Sequence, residues 1–506
     1  MEKTDKVDDR HLNATVKTMS FGVVWFLLRY PFVFLSVAVF LPLMGEDHYG
    51  RYSFFMSVFL IWDVLTQIGN IQIFGRFLPE RSGNRAAQAH MLHGMLYSNL
   101  LITFSVMGAA LVFFGLFKPE GFSLQWLVIL CLLLILGKLQ GTLYAFLYGL
   151  NRIGLYAARE TMRTVFTFVF VVVCYLLWGL NGALWGLVVN EFVLAVVAAW
   201  WTRDYLFTKP TDISLSEFRP LILFGIAFYM PTVLMTVLQR SGNVFVSQLT
   251  CSFEEVSFFD VANQFLMLTG MFLVLLMTAL LPALTSLHVR GENRDVERWQ
   301  RNVMGYCGVV ICLAVNALFW IGGPVLSWWR PGAAEAIWLN ALAVAPALVP
   351  MLIAQAGLNF ALLEKKPRAN AWAVFLGFIA MATVSVWLVP TLKSQGAVCG
   401  TVAGYSVVAV VFLAAYRKRL WNSLTSFFVA IAAGVLCVLP AVLIPQYLPQ
   451  PVSWSSFPII DSPWISFAML VGTSAIYLMV LFALRIISIA DLRLVISACR
   501  KSDKPE

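Results

Sequence analysis

Charge is what this sequence lacks. Of its 506 residues only 12% are Asp, Glu, Lys or Arg, while 60% are apolar or aromatic. A soluble domain carries about 25% charged residues. A globule of this length could not clothe its surface from so few, so water is not its main solvent. A soluble enzyme, a nucleic-acid-binding domain and a secreted disulfide scaffold are thereby excluded as the main body. Cysteine is scarce too. The eight at 131, 174, 251, 307, 312, 399, 437 and 499 are scattered, with no CxxC pair, and read as small apolar core residues. There is no GxxxxGK[ST] loop, no GxSxG elbow and no HExxH, so no catalytic residue and no metal ligand is assigned. Long polar connections are also missing. The longest outer one, about 447–463, is rich in proline and holds only Asp461 as a charge, too small to house a polymerase or ligase reaction. The chain is therefore not read as an enzyme.

What is there is a series of apolar stretches of spanning length. They fall at 17–43, 52–78, 91–117, 124–149, 161–179, 183–202, 221–249, 257–287, 302–328, 336–362, 370–390, 397–416, 424–446 and 464–486. The fold class expected is an all-α integral membrane protein with about 14 transmembrane helices. Basic residues orient it. With the amino terminus inside, 28 of the 35 Lys and Arg fall in inner segments, Arg159 and Arg163 among them, and four fall in outer ones. Both termini are then cytoplasmic, and the net charge of +9 is an orientation signal facing anionic lipid, not a nucleic-acid site.

The chain repeats itself. Tyr49-Gly-Arg-Tyr-Ser-Phe-Phe55 after span 1 corresponds to Val256-Ser-Phe-Phe-Asp260 after span 7. Gly83-Asn-Arg85 corresponds to Gly291-Glu-Asn-Arg294, and Gly182-Ala-Leu-Trp-Gly186 to Gly396-Ala-Val-Cys-Gly400. The spacing is 207 to 214 residues in the same order, which gives two parallel six-helix repeats plus two C-terminal helices. The expected domains are a tail 1–16, an N-lobe 17–202, a linker 203–220, a C-lobe 221–416, helices 13 and 14 at 424–486, and a tail 487–506. Parallel repeats about an axis normal to the membrane are a transporter architecture, with the substrate path between the halves.

Three cations remain inside spans: Arg29, Lys138 and Arg240. Ionisable groups at that depth are costly and face a cavity or a partner. Acids at depth are Asp63 and Glu191, with Asp260 near the outer start of span 8. They serve either a coupling ion or as counter-ions, for instance of Arg29 with Asp63 or Glu191. Amides recur at helical spacing: Asp63, Gln67 and Asn70 in span 2, Gln239 and Asn243 in span 7, Gln355 in span 10. Lipid cannot solvate such stripes, so they face the bundle interior, as lining or as interhelical glue. Basic groups suit phosphate or diphosphate, and amides suit sugar hydroxyls. On this reading Arg29, Lys138 and Arg240 hold a diphosphate, while Gln67, Asn70, Gln239, Asn243 and Gln355 line the sugar. Pro31 and Pro231 interrupt corresponding spans of the two halves and read as hinges, a static kink being the alternative.

The 6+6+2 arrangement, with Tyr49-Gly-Arg-Tyr after span 1 and Gly291-Glu-Asn-Arg after span 8, resembles the polysaccharide (Wzx-type) flippase branch of the multidrug/oligosaccharidyl-lipid/polysaccharide exporter superfamily. The resemblance covers essentially the whole chain. It implies a multi-pass protein of the bacterial inner membrane that moves undecaprenyl-diphosphate-linked oligosaccharide (O-antigen, capsule or exopolysaccharide units) to the outer leaflet by alternating access. It implies coupling to H⁺ or Na⁺ and otherwise no cofactor. It also implies contact with membrane lipids and with polysaccharide polymerase or export machinery. Arg29 falls where relatives place a basic cavity residue. Arg240 lies in a stretch where they often carry an acid. The alternatives are a cation-coupled multidrug-type exporter and a flippase for the peptidoglycan lipid precursor.

Overall fold

The structure, a computed structural model, describes residues 2–81, 83–117, 122–208, 215–279, 293–364, 367–443 and 463–483. Among these residues there is no strand. The helices are α1 (Glu2–Thr66), α2 (Asn70–Phe77), α3 (Arg85–Phe117), α4 (Leu124–Gly149), α5 (Ile153–Leu206), α6 (Leu215–Thr250), α7 (Phe253–Ala279) and α8 (Asn293–Ala317). They continue as α9 (Gly323–Trp329), α10 (Ala334–Val344), α11 (Leu348–Leu363), α12 (Pro367–Leu392), α13 (Ser394–Ala415), α14 (Arg417–Leu443) and α15 (Pro463–Ala483). Residues 2–16, expected as a tail, continue α1. The tail 487–506, most of the outer connection at 447–463, and 209–214 of the linker lie outside the described residues.

Ten of the described helices are long and apolar enough to cross a membrane, eleven if the bent pair Ser216–Ile226 and Tyr229–Thr250 is one span. The chain is a multi-pass membrane protein. Two of the ten are too long for one crossing. Pro31–Phe77 has 47 residues and Gly154–Leu206 has 53. As straight rods they would run about 70–80 Å against a hydrocarbon core of about 30 Å. Each turns instead, at Gly45 (φ 75) and at Trp178–Gly179 (φ 63 at the glycine). Positive φ is open to glycine without steric cost.

The turn in α5 lays its second half back on its first. A Cβ on Gly182 would collide with the Cys174 carbonyl oxygen, and one on Gly186 would stand 2.6 Å from that of Phe170. In the second half of the chain, a Cβ on Gly400 would collide with Ser385 Oγ and stand 3.0 Å from the Met381 carbonyl oxygen. These glycines belong to the two Gly-Ala-x-x-Gly stretches matched in sequence. The repeat is therefore one of packing, in which small residues let two backbones approach.

The chain divides into two compact units, 1–260 with 389–393, and 261–388 with 394–506. The boundary falls inside α7 and not in the linker 203–220. The cause is α6, span 7, which packs on first-half elements. Phe218 fills the space beside Gly94, and Gly225 abuts Ile68 and Gly69. Ile68, Ile73, Phe74, Met91, Leu143, Phe146 and Phe218 are buried together in that unit's core. In the other unit α8 and α14 meet at Val309, Ala430 and Ala433. There α15 is tied on by Asn316, whose amide donates to Thr473 and Ser474, both at 3.0 Å.

Span 2 is not continuous. It stops at Thr66 and resumes at Asn70, with Gly69 left-handed (φ 74, ψ 43) between them. A Cβ on Gly69 would stand 2.6 Å from the Gly225 carbonyl oxygen, and one on Gly225 would collide with that of Ile68. Gly225→Ala should therefore lower the melting temperature of the purified protein, whereas Gly108→Ala, with nothing within 4 Å, should leave it unchanged or raise it by helix propensity. Equal melting of the two variants would count against this close approach.

Candidate functional site

Three helices of the first unit bring charge together within the helix bundle. α1 supplies Arg29 and Asp63, α4 supplies Lys138, and α5 supplies Arg159, Glu160, Arg163 and Glu191. The side chains form one line. Arg29 Nη1 is 3.4 Å from Glu160 Oε2, and Arg159 Nη1 donates to Glu160 Oε1 at 3.0 Å. Arg159 Nε donates to Gln140 at 2.8 Å, Gln140 donates to Glu191 Oε2 at 3.0 Å, and Arg163 Nε donates to Glu191 Oε1 at 3.0 Å. Lys138 is 3% exposed and interacts with Asp63 electrostatically. The Arg159 guanidinium lies 5.7 Å from the Tyr144 ring centroid. Two buried donors, Arg29 Nε and the Tyr144 hydroxyl, have no acceptor.

α4 makes room with Gly137 and Gly141. Positions where a Cβ would point are 3.7 Å from Asp63, 3.8 Å from Glu191 and 3.9 Å from Arg159. A small-xxx-small face ordinarily lets helices touch; here it admits charged side chains. Exposure grades across the cluster. Side chains of Glu191 at 3% form a closed back, while Arg163 at 25%, Arg29 at 28% and Glu160 at 35% form an open rim.

The structure corrects three expectations. Arg159 and Arg163, counted with the inner loop, both lie on α5, which starts at Ile153 and not at 161; Arg163 was already within the expected span. Arg29 pairs with Glu160 and not with Asp63 or Glu191. Asp63 does accept from Gln67, at 3.1 Å, but Asn70 leaves their stripe. The left-handed turn at Gly69 swings it to Asn99, with which it exchanges hydrogen bonds of 2.9 and 3.4 Å, and to Thr142 at 3.3 Å.

Asp260 and Asn243 meet elsewhere in the first unit. Asp260 Oδ2 accepts from Tyr49 at 2.9 Å and Ser53 at 3.1 Å, and Oδ1 from Asn243 at 2.8 Å. Asn243 also donates to Ser57 at 2.8 Å. Both are buried, and the donors of Asn243 are spent within this knot. Ser53 and Asp260 are 207 residues apart, the same spacing as between the stretches matched in sequence. Asp260→Ala would leave three buried donors unpaired, at about 1–3 kcal/mol each. Its melting temperature should fall clearly below that of Asp260→Asn, which keeps an acceptor.

Gln239 and Arg240 are half-buried on α6, and Gln355 is half-buried on α11 in the second unit. α6 bends by 53° between Ile226 and Tyr229, one turn before Pro231, whose ring excludes a bond to the carbonyl four residues back. α1 is helical through Pro31 and turns at Gly45. Glu46, Asp47, Arg51 and Cys251–Glu254 line a cavity of about 630 Å³.

Residues 16–288, more than half of the chain, match the family described as "Polysaccharide biosynthesis protein". The chain belongs to the polysaccharide biosynthesis protein family. No curated protein sequence matches it. Among solved structures it is similar to the lipid II flippase MurJ in an inward closed conformation, at 12% identity and a TM-score of 0.67, covering 92% of this chain and 99% of that one. It is also similar to an inward-facing multidrug-resistance MATE transporter (15% identity, TM-score 0.61, 79% and 98% covered). A third is a transporter from Pyrococcus furiosus described as having a binding pocket of reversed polarity (16%, 0.56, 80% and 94%). This family member thus has the fold of membrane flippases and exporters. Its matched region holds every residue of the charged cluster. Of that cluster the sequence reading missed Arg159, Glu160, Arg163, Gln140 and Tyr144. The available signal was length, since 161–179 is only 19 residues and a span needs about 20.

Proposed function

We propose that the protein is a flippase that carries lipid-linked oligosaccharide, joined through a diphosphate to undecaprenol, from the inner to the outer leaflet of a bacterial inner membrane. The observation that carries this is the cluster in the first unit, where Arg29, Lys138, Arg159 and Arg163 face Asp63, Glu160 and Glu191. Cations outnumber acids at a depth where either is expensive, and the cationic rim is the part left open. Taking a diphosphate through hydrocarbon unaided is prohibitive. Guanidinium groups exchange its water for donors of matching geometry. The prenyl tail needs no carrier, because it stays in lipid. In this reading Arg29, Arg159 and Arg163 hold the diphosphate and Lys138 supplies charge from behind. A coupling ion, H⁺ or Na⁺, would fall to Asp63 or Glu191.

The fold similarity to MurJ favours a second reading, in which the headgroup is the peptidoglycan lipid precursor. It shares the diphosphate and differs in the sugar. A multidrug-type exporter of cationic cargo fits the excess of buried cations poorly. One experiment tests all three. The protein is reconstituted into vesicles with undecaprenyl-diphosphate-linked oligosaccharide, lipid II or a cationic dye, and outer-leaflet appearance of each is followed. Movement of the oligosaccharide lipid alone is expected. Movement of the dye alone would overturn the proposal.

A further inference from the structure

Glu160 occupies an odd position for a counter-ion. It sits between two arginines, at 3.0 Å from Arg159 and 3.4 Å from Arg29, with Arg163 acting on it electrostatically from one turn away. The other carboxylate pair is different. Glu191 is 3% exposed and holds Arg163 at 3.0 Å, with Gln140 on its second oxygen. Glu160 is the most exposed of the four rim and back-wall side chains, at 35%, and its bond to Arg29 is the longest in the line. Arg29 meanwhile keeps a buried Nε without an acceptor. A carboxylate ringed by arginines at the open edge of a cationic cluster stands where an anionic ligand would stand.

We propose that Glu160 is a resident counter-anion, seated among Arg29, Arg159 and Arg163 until a diphosphate displaces it. The proposal rests on the function read above and adds how the site selects and releases cargo. Charge supports the exchange. With Glu160 turned out to solvent, four cations against Asp63 and Glu191 leave a formal +2. A diphosphate substituted at both ends, by a prenyl chain and a sugar, carries −2. The exchange therefore leaves the cluster neutral. A monophosphate diester carries −1 and makes a poor replacement, so the site discriminates by charge. Binding by exchange also costs affinity, because cargo must compete with Glu160, and for the same reason it eases release when Glu160 returns.

The test is a binding titration on the purified full-length protein, using a short-chain geranyl diphosphate-glucose and its monophosphate-bridged counterpart as probes. Glu160→Gln should bind the diphosphate probe about tenfold more tightly than wild type. It should gain most for the monophosphate, and it should flip the long-chain lipid more slowly in vesicles. Arg29→Ala should weaken binding of the diphosphate probe. Should Glu160→Gln fail to accumulate, Glu160→Asp withdraws the carboxylate by one methylene and should tighten binding to a smaller extent. If wild type binds the probe, Arg29→Ala weakens it and neither Glu160 variant binds more tightly, Glu160 is structural and this proposal fails while the flippase reading stands. If no form binds either probe, both fail.

Discussion

Replacing Arg29 and Lys138 together by alanine is expected to abolish lipid flipping while leaving the protein in the membrane. The two residues come from different helices and lie at opposite depths of the cluster. Arg29 is on the open rim at 28% exposure, and Lys138 is enclosed at 3%. Removing both leaves two cations against three carboxylates, so the site turns from attracting an anion to repelling it. Hydrogen bonds to charged groups are each worth about 1.5–3 kcal/mol. Losing that of Arg29 alone amounts to about 10–10² in rate at roughly 1.4 kcal/mol per decade, and losing the charge of Lys138 behind it adds to this. Flipping of the diphosphate-linked oligosaccharide, normalised to reconstituted protein, measures it. Arg29→Lys with Lys138→Arg keeps the charge and should recover part of the rate, less than all of it because a guanidinium fork and an ammonium differ in geometry. Wild-type flipping by the double alanine variant would remove these residues from the pathway.

Sequence patterning went furthest where one helix contains the whole signal. Apolar length located the spans. Gly182-x-x-x-Gly186 and Gly396-x-x-x-Gly400 marked equivalent hairpins, and the i, i+4 spacing of Asp63 and Gln67 became a hydrogen bond of 3.1 Å. It failed where backbone or neighbours decide. Asn70 continued the stripe on paper, but a left-handed Gly69 turned it to Asn99 instead. In sequence terms Arg29 had Asp63 or Glu191 as candidate partners. Which one it meets depends on how α1 lies beside α5, and periodicity is silent on that. Asn243 and Asp260 looked like separate polar residues of two spans. They are one buried knot, in which Asp260 accepts from both Asn243 and Ser53. Arg159 and Glu160 were lost to an eight-residue error in where a span begins, and Arg163, inside the expected span, was counted with the inner loop beside them.

Arg163→Ala should be the most damaging single substitution in that line. Glu191 is 3% exposed, and its two oxygens accept from Arg163 and Gln140. Deleting the guanidinium strands a buried carboxylate, and breaking a buried pair on one side costs about 3–5 kcal/mol. A fall in yield and in melting temperature is expected, together with loss of flipping. Stability and transport can then be separated. Arg163→Met with Glu191→Gln removes both charges, keeps bulk on α5 and leaves Gln140 a neutral partner. Replacing a buried pair by groups of like volume is often neutral for stability, so melting should return near to wild type. Flipping should not return, since Arg163 is also one of the two arginines on the open rim. Melting of detergent-purified protein and flipping in vesicles are measured on the same preparations. If the double variant flips at the wild-type rate, the pair serves only to hold α5 to itself, and the rim that receives the diphosphate lies elsewhere. If Arg163→Ala alone melts like wild type, Glu191 has another source of compensation, and the line from Arg29 to Arg163 is not a single electrostatic unit.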